Sequence, residues 1–90
     1  MGNNNTNLGT VIADTTLKAA AETIRATGRD PMGVDVDALM VACRREAKVA
    51  LNAIMSDGKA LIDGGRASWL NTLLITECTA AGQRAAADVL

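Results

Sequence analysis

The chain has no histidine, phenylalanine or tyrosine, and its one aromatic residue is Trp69. Without histidine, general acid–base work falls to carboxylates or lysines whose pKa burial must first shift. Two cysteines, Cys43 and Cys78, cannot close a zinc site without histidine to complete the ligand set. The shortage of aromatics also removes the usual source of core volume, about 150–250 Å² of burial per ring. Runs of alternating β-branched and aromatic residues, the mark of strands, are missing too. The longest uncharged stretches, 1–13 and 67–76, are too short and too polar to span a bilayer. The net charge is −1 with both signs interspersed, so no basic tail or stripe marks a nucleic-acid footprint.

The start of the chain, Met1-Gly2-Asn3-Asn4-Asn5-Thr6, has neither the basic nor the apolar region of a signal peptide. It fits the loose N-myristoylation pattern, Gly2 with a hydroxyl at position 6, but no polybasic segment follows as a second anchor. Residues 1–9 therefore read as a flexible polar lead-in, and the expected compartment is the cell interior.

What remains is an apolar half, 49% of the residues, in which alanine dominates and the spacing is helical. Ninety residues make one domain, 10–90, with a modest core. The first helix is expected from Thr10 or Asp14 to Thr27, with Ala13, Leu17, Ala20, Ala21 and Ile24 as its apolar stripe. Asp14/Lys18 and Glu22/Arg25 are helical-neighbour ion pairs on its far face. Gly28 suits the C-cap and Pro31 confirms the stop.

Asp35 suits the N-cap of the second helix, with Asp37 in the first turn where the dipole favours an acid. Val36, Met40, Cys43, Ala47, Ala50 and Ile54 form a heptad seam flanked by Leu39 and Leu51. Ala38, Ala42, Val49 and Ala53 widen the apolar arc past half the circumference. Only Arg44, Arg45, Lys48 and Asn52 mark a polar side, so this helix is expected to be central. It is expected to stop near Ser56. Asp57-Gly58 and Asp63-Gly64-Gly65 then bracket Ala60-Leu61-Ile62 as a loop with an apolar plug.

The third helix is expected from Ser68 to the end, bent at Gly82. Leu70, Leu74, Cys78, Ala81 and Ala85 form one apolar face and Trp69, Leu73, Ala80 and Ala87 another, with Glu77, Arg84 and Asp88 between. The fold expected is thus all-α: a hairpin of helices two and three with a peripheral first helix. Cys43 and Cys78 read as small buried hydrophobes with free thiols, a bridge between them being the alternative.

Candidate chemistry is thin. Gly64-Gly65-Arg66 before a helix start, with Lys59 in the preceding turn, offers backbone N–H groups and charge to an anion such as a nucleotide. It lacks the Lys-Ser/Thr pair and preceding strand of a P-loop, and reads first as a linker between helices, since glycine pairs chiefly mark turns. Arg44, Arg45 and Lys48 form a small basic patch with no interleaved aromatic, which reads first as a solvated face. Nucleic acid is not an expected partner. No nucleophile–base pair can be assembled, so an enzyme is not expected, and no cofactor is implied.

The function expected is that of a small homo-oligomeric binding protein: an adaptor, inhibitor or assembly subunit. Its interface is expected to use Trp69, Leu73, Ala80, Val89 and Leu90, since the chain ends on two apolar residues and Trp69 is its one large anchor. An anion binder at Lys59, Gly64, Gly65 and Arg66 is the alternative, and a weak nucleic-acid binder through Arg44, Arg45 and Lys48 trails both.

Overall fold

The computed structural model describes the backbone of residues 8–63 and 70–90, and side chains over 9–57 and 72–90. It contains α1 (Leu8–Ala26), a short 3-10 turn (Pro31–Gly33), α2 (Val36–Asp63) and α3 (Leu70–Val89). The all-α hairpin of α2 and α3, with α1 against it, is the expected architecture.

Local chemistry explains the boundaries between α1 and α2. Gly28 takes the left-handed conformation at φ 85°, where a side chain is strained. Its N–H donates to Arg25 O at 2.9 Å and the Arg29 N–H to Ile24 O at 3.4 Å, a Schellman closure. Asp30 Oδ1 accepts from the Met32 N–H, holding the 3-10 turn. Asp35 Oδ1 then accepts from the Ala38 N–H at 3.1 Å, capping α2 as its sequence suggests.

Two stacked clusters fix the topology. Ala20 and Ile24 late in α1 meet Leu39, Ala42 and Cys43 early in α2 and Ala85 and Ala86 late in α3. Ile12 early in α1 meets Ala47, Ala50 and Ile54 farther along α2, with Cys78 and Ala81 of α3. Hence α1 and α3 run parallel and α2 runs antiparallel to both. The same clusters show α2 and α3 in contact along their length, unlike the steeply crossed pair of a helix-turn-helix.

Three features differ from expectation. First, α2 does not stop at Ser56 but continues to Asp63, so 57–63 are helical rather than a plugged loop. One glycine costs a helix only about 1 kcal/mol relative to alanine, too little to end a helix that continues on both sides of it. Second, α1 begins at Leu8, and its buried row is Ile12, Thr16, Ala20 and Ile24. Ala13 is exposed, and Leu17 and Ala21 are half-buried.

Third, the central element is α3, not α2. Helix α3 packs as extensively on α1 as on α2, whereas the α1–α2 contact is much thinner. The cause is side-chain size: Cys78, Ala81, Gly82, Ala85 and Ala86 let both neighbours come close. Gly82 marks the tightest point. Helix α3 is continuous there, and a Cβ on Gly82 meets Ala19 Cβ at 2.5 Å, Ala20 N at 2.6 Å and Thr16 O at 2.7 Å. The glycine is therefore a contact surface for α1 rather than a bend.

Thr16 lies fully buried at this crossing, and its hydroxyl makes no well-formed hydrogen bond. Thr15 and Thr23 are half-buried, and each donates at 2.8 Å to its own helix, to Val11 O and Ala19 O. The Thr16 hydroxyl instead lies toward the Cys78 thiol and lowers its pKa against a larger upward push from burial, to which Glu77 adds. Burial raises the Cys43 thiol as well. Both cysteines are free and buried.

These thiols set an alkaline limit on stability. An unfolded thiol ionises near pH ~8.5, while in the folded chain both stay protonated to higher pH. The unfolded state then binds fewer protons, so stability is fully present below that pH and falls as pH rises through it toward the raised values. The melting temperature is expected to decline as pH rises past about 8.5, the ordinary thiol value. Cys43→Ala/Cys78→Ala should flatten that decline, and an equal slope in the double variant would remove the thiols as its cause.

Candidate protein-interaction surface

The apolar arc of α2 exceeds what its neighbours cover. Its inner side, Leu39, Ala42, Cys43, Ala47, Ala50 and Ile54, is buried. On the outer side Val41 is 60% exposed, Val49 51% and Met55 59%. Val41 and Val49 stand eight residues apart, two turns along one face, with Arg45 between them. Both α1 and α3 pack on α2, yet this outer side stays exposed.

Val41 also borders a groove of about 370 Å³ between the start of α2 and the end of α3, with Asp37, Ala38, Arg45, Asp88 and Val89. Its lip is electrostatically closed. The Arg45 guanidinium donates to Asp88 and, at 3.2 Å, to Glu46, while Arg84 donates to Glu46 at 2.7 Å. Asp88 first and Glu46 second push the Arg45 pKa further up. Arg84 holds the Glu46 carboxyl below its ordinary value, burial opposes this, and Arg45 assists. Arg84 and Asp88 of the charged line expected between two faces of α3 thus bridge to α2.

This bridge divides the basic patch read from the sequence. Arg45 is answered by Asp88 and Glu46, whereas Arg44 and Lys48 border a different groove against α1. The three cations do not act as one surface.

The expected interface is distributed unevenly. Leu90 is 43% exposed at the end of the chain. Val89 is half-buried against the cluster containing Ala85 and Ala86, and it borders the Val41 groove. Leu73 is half-buried against the cluster around Cys78 and Ala81, and Ala80 is half-buried too. Trp69 lies outside the described residues, as do Gly64, Gly65 and Arg66. Lys59 belongs to α2 and not to the expected turn, because the helix runs on past it. Val41, Val49 and Met55 are the additions that sequence reading missed. Val49 belongs to the apolar arc read from the sequence, whereas Val41 and Met55 extend it.

Among the described residues no group of histidine, cysteine or carboxylate side chains is placed to hold a metal. None of the described helices is long and apolar enough to cross a membrane. Comparison of the chain with protein-family models, with curated proteins and with solved structures finds no match.

Proposed function

We propose that the chain is a small helical binding protein that pairs with a second copy of itself and acts through protein–protein contacts. The observation that supports this is the outward row of α2, where Val41 and Val49 are both more than half exposed. Among the described residues the core is mostly alanine and cysteine, while Val41, Val49, Met55 and Ile75 lie exposed outside it. A second subunit supplies the burial that a chain this small is short of.

The row suits a two-fold contact. Two α2 helices laid antiparallel about Arg45 bring Val41 of each copy opposite Val49 of the other, which is the self-complementarity an isologous interface needs. Arg45 would lie near the axis, where its pairing with Asp88 and Glu46 limits repulsion between copies. Val89 borders this surface at the end of α3, and the exposed Leu90 follows it in the chain. Leu73 and Ala80 offer less exposed area and are secondary. Buried free thiols fit a reducing compartment and so support a location inside the cell, and no nucleophile–base pair in the composition supports catalysis.

Sedimentation tests the reading. The wild-type chain is expected to exceed a monomer at micromolar concentration. Val41→Lys/Val49→Lys should weaken that association by about 2–4 kcal/mol, since each lysine enters the centre of the contact. Circular dichroism should be unchanged, because both positions face outward. A wild-type monomer across the accessible range, or a double variant that associates as well as wild type, overturns the proposal.

A further inference from the structure

The thin contact between α1 and α2 leaves a groove that differs in kind from the one beside Val41. It measures about 210 Å³, and its walls are apolar: Ile12 and Ala13 from α1, Ala47 and Leu51 from α2. Arg44 and Lys48 stand on its α2 lip, four residues apart and so one turn apart on the same face. Both are exposed, and neither makes an ion pair among the described residues, whereas nearby Arg45 and Arg84 do. Leu17 and Met40 are only half-buried, and Ala13 is exposed.

We propose that this groove receives an amphipathic helix of another protein, with two carboxylates one turn apart set against Arg44 and Lys48. A helix lying between α1 and α2 completes a four-helix arrangement and covers the open seam with its apolar stripe. The charged lip fixes the sign of the partner and its register.

Other occupants fit less well. The volume lies below the roughly 300–1,000 Å³ of a pocket that encloses a small molecule. Two cations fall short of the clusters of about 4–8 that hold a protein on anionic lipid, and a flat bilayer cannot fill a concave seam. A second copy seated here by two-fold symmetry would set Arg44 and Lys48 of both chains toward one another. The groove is also separate from the Val41–Val49 row, so the two proposals stand or fall independently.

The test uses a dye-labelled synthetic helix with leucines at i, i+4, i+7 and i+11 flanked by glutamates one turn apart. Its control carries lysines in place of those glutamates, and phosphatidylserine vesicles form a third arm. Anisotropy titration of the full chain is expected to show the glutamate helix binding at least about tenfold more tightly than the lysine helix. Arg44→Glu/Lys48→Glu should invert that order without altering helicity, because both side chains are exposed. Ala13→Trp, which fills the groove from α1 and changes no charge, should abolish binding. Equal affinity for both helices, binding of neither, or an order unaffected by charge reversal overturns the proposal. So does vesicle binding that exceeds helix binding and is lost on charge reversal. Self-association is read separately by sedimentation of the chain without peptide, so its failure is not mistaken for failure of the groove.

Discussion

Gly82→Leu is expected to detach α1 from the rest of the protein, and Gly82→Ala to destabilise it where the same change usually helps. At an ordinary helix position, replacing glycine with alanine gains about 0.8–1.0 kcal/mol of propensity. Here the added Cβ would stand 2.5 Å from Ala19 Cβ, 2.6 Å from Ala20 N and 2.7 Å from Thr16 O. Two of these three atoms belong to the α1 backbone, which cannot swing aside as a side chain can. Relief requires α1 to move as a body, which opens the buried row of Thr16, Ala20 and Ile24. Overpacking of this kind typically costs about 1–3 kcal/mol and outweighs the propensity gain. Leucine asks for far more room, and separation of α1 is then the lower-energy outcome. Urea midpoints report the sign for alanine, and amide exchange along 10–26 reports the release of α1 for leucine. An alanine variant equal to or more stable than wild type would show that the crossing yields easily and that Gly82 does not set it.

That crossing also marks the limit of what the sequence alone conveys. The stop at Gly28 and the cap at Asp35 are legible because a Schellman glycine and an N-cap carboxylate act within a few residues. The seam through Cys43, Ala47, Ala50 and Ile54 is legible because the periodicity of a helix is local as well. The choice of row on α1 is not local. Ala13, Leu17 and Ala21 look as suitable as Ile12, Thr16 and Ala20, and a threonine counts against burial on composition. What selects the row with Thr16 is the absence of a side chain at Gly82, more than sixty residues away in sequence. The end of α2 was hidden for the opposite reason. Asp57-Gly58 is a strong turn signal taken alone, and only the helix continuing on both sides outweighs it. Val49 belongs to the apolar arc of α2, but a wide arc on one helix does not say which neighbour covers it. Exposure supplied that answer, and it turned part of a presumed core into a candidate interface.

Ile24→Ala is expected to cost about 2–5 kcal/mol, toward the upper part of the range for a large core side chain cut to alanine. The argument turns on what surrounds it. Ile24 is fully buried among Ala20, Leu39, Ala42, Cys43, Ala85 and Ala86. Four of these six are alanines, with no rotamers that could swing into the space left behind. The cavity can shrink only if the helices themselves approach, and at Gly82 α1 and α3 are already in backbone contact. The Ile24 carbonyl also accepts from the Arg29 N–H in the closure of α1, so a shift of its backbone disturbs the turn leading to α2. A small domain holds roughly 5–15 kcal/mol in total, and a loss of this size consumes a large share of it. Ile24→Val, which removes one methyl, should cost about 0.5–1.5 kcal/mol and provides the internal scale. Urea unfolding of both variants gives the comparison. If Ile24→Ala loses no more than Ile24→Val, the helices are free to close over the gap, and the tight α1–α3 crossing is not the constraint that the buried row and Gly82 make it.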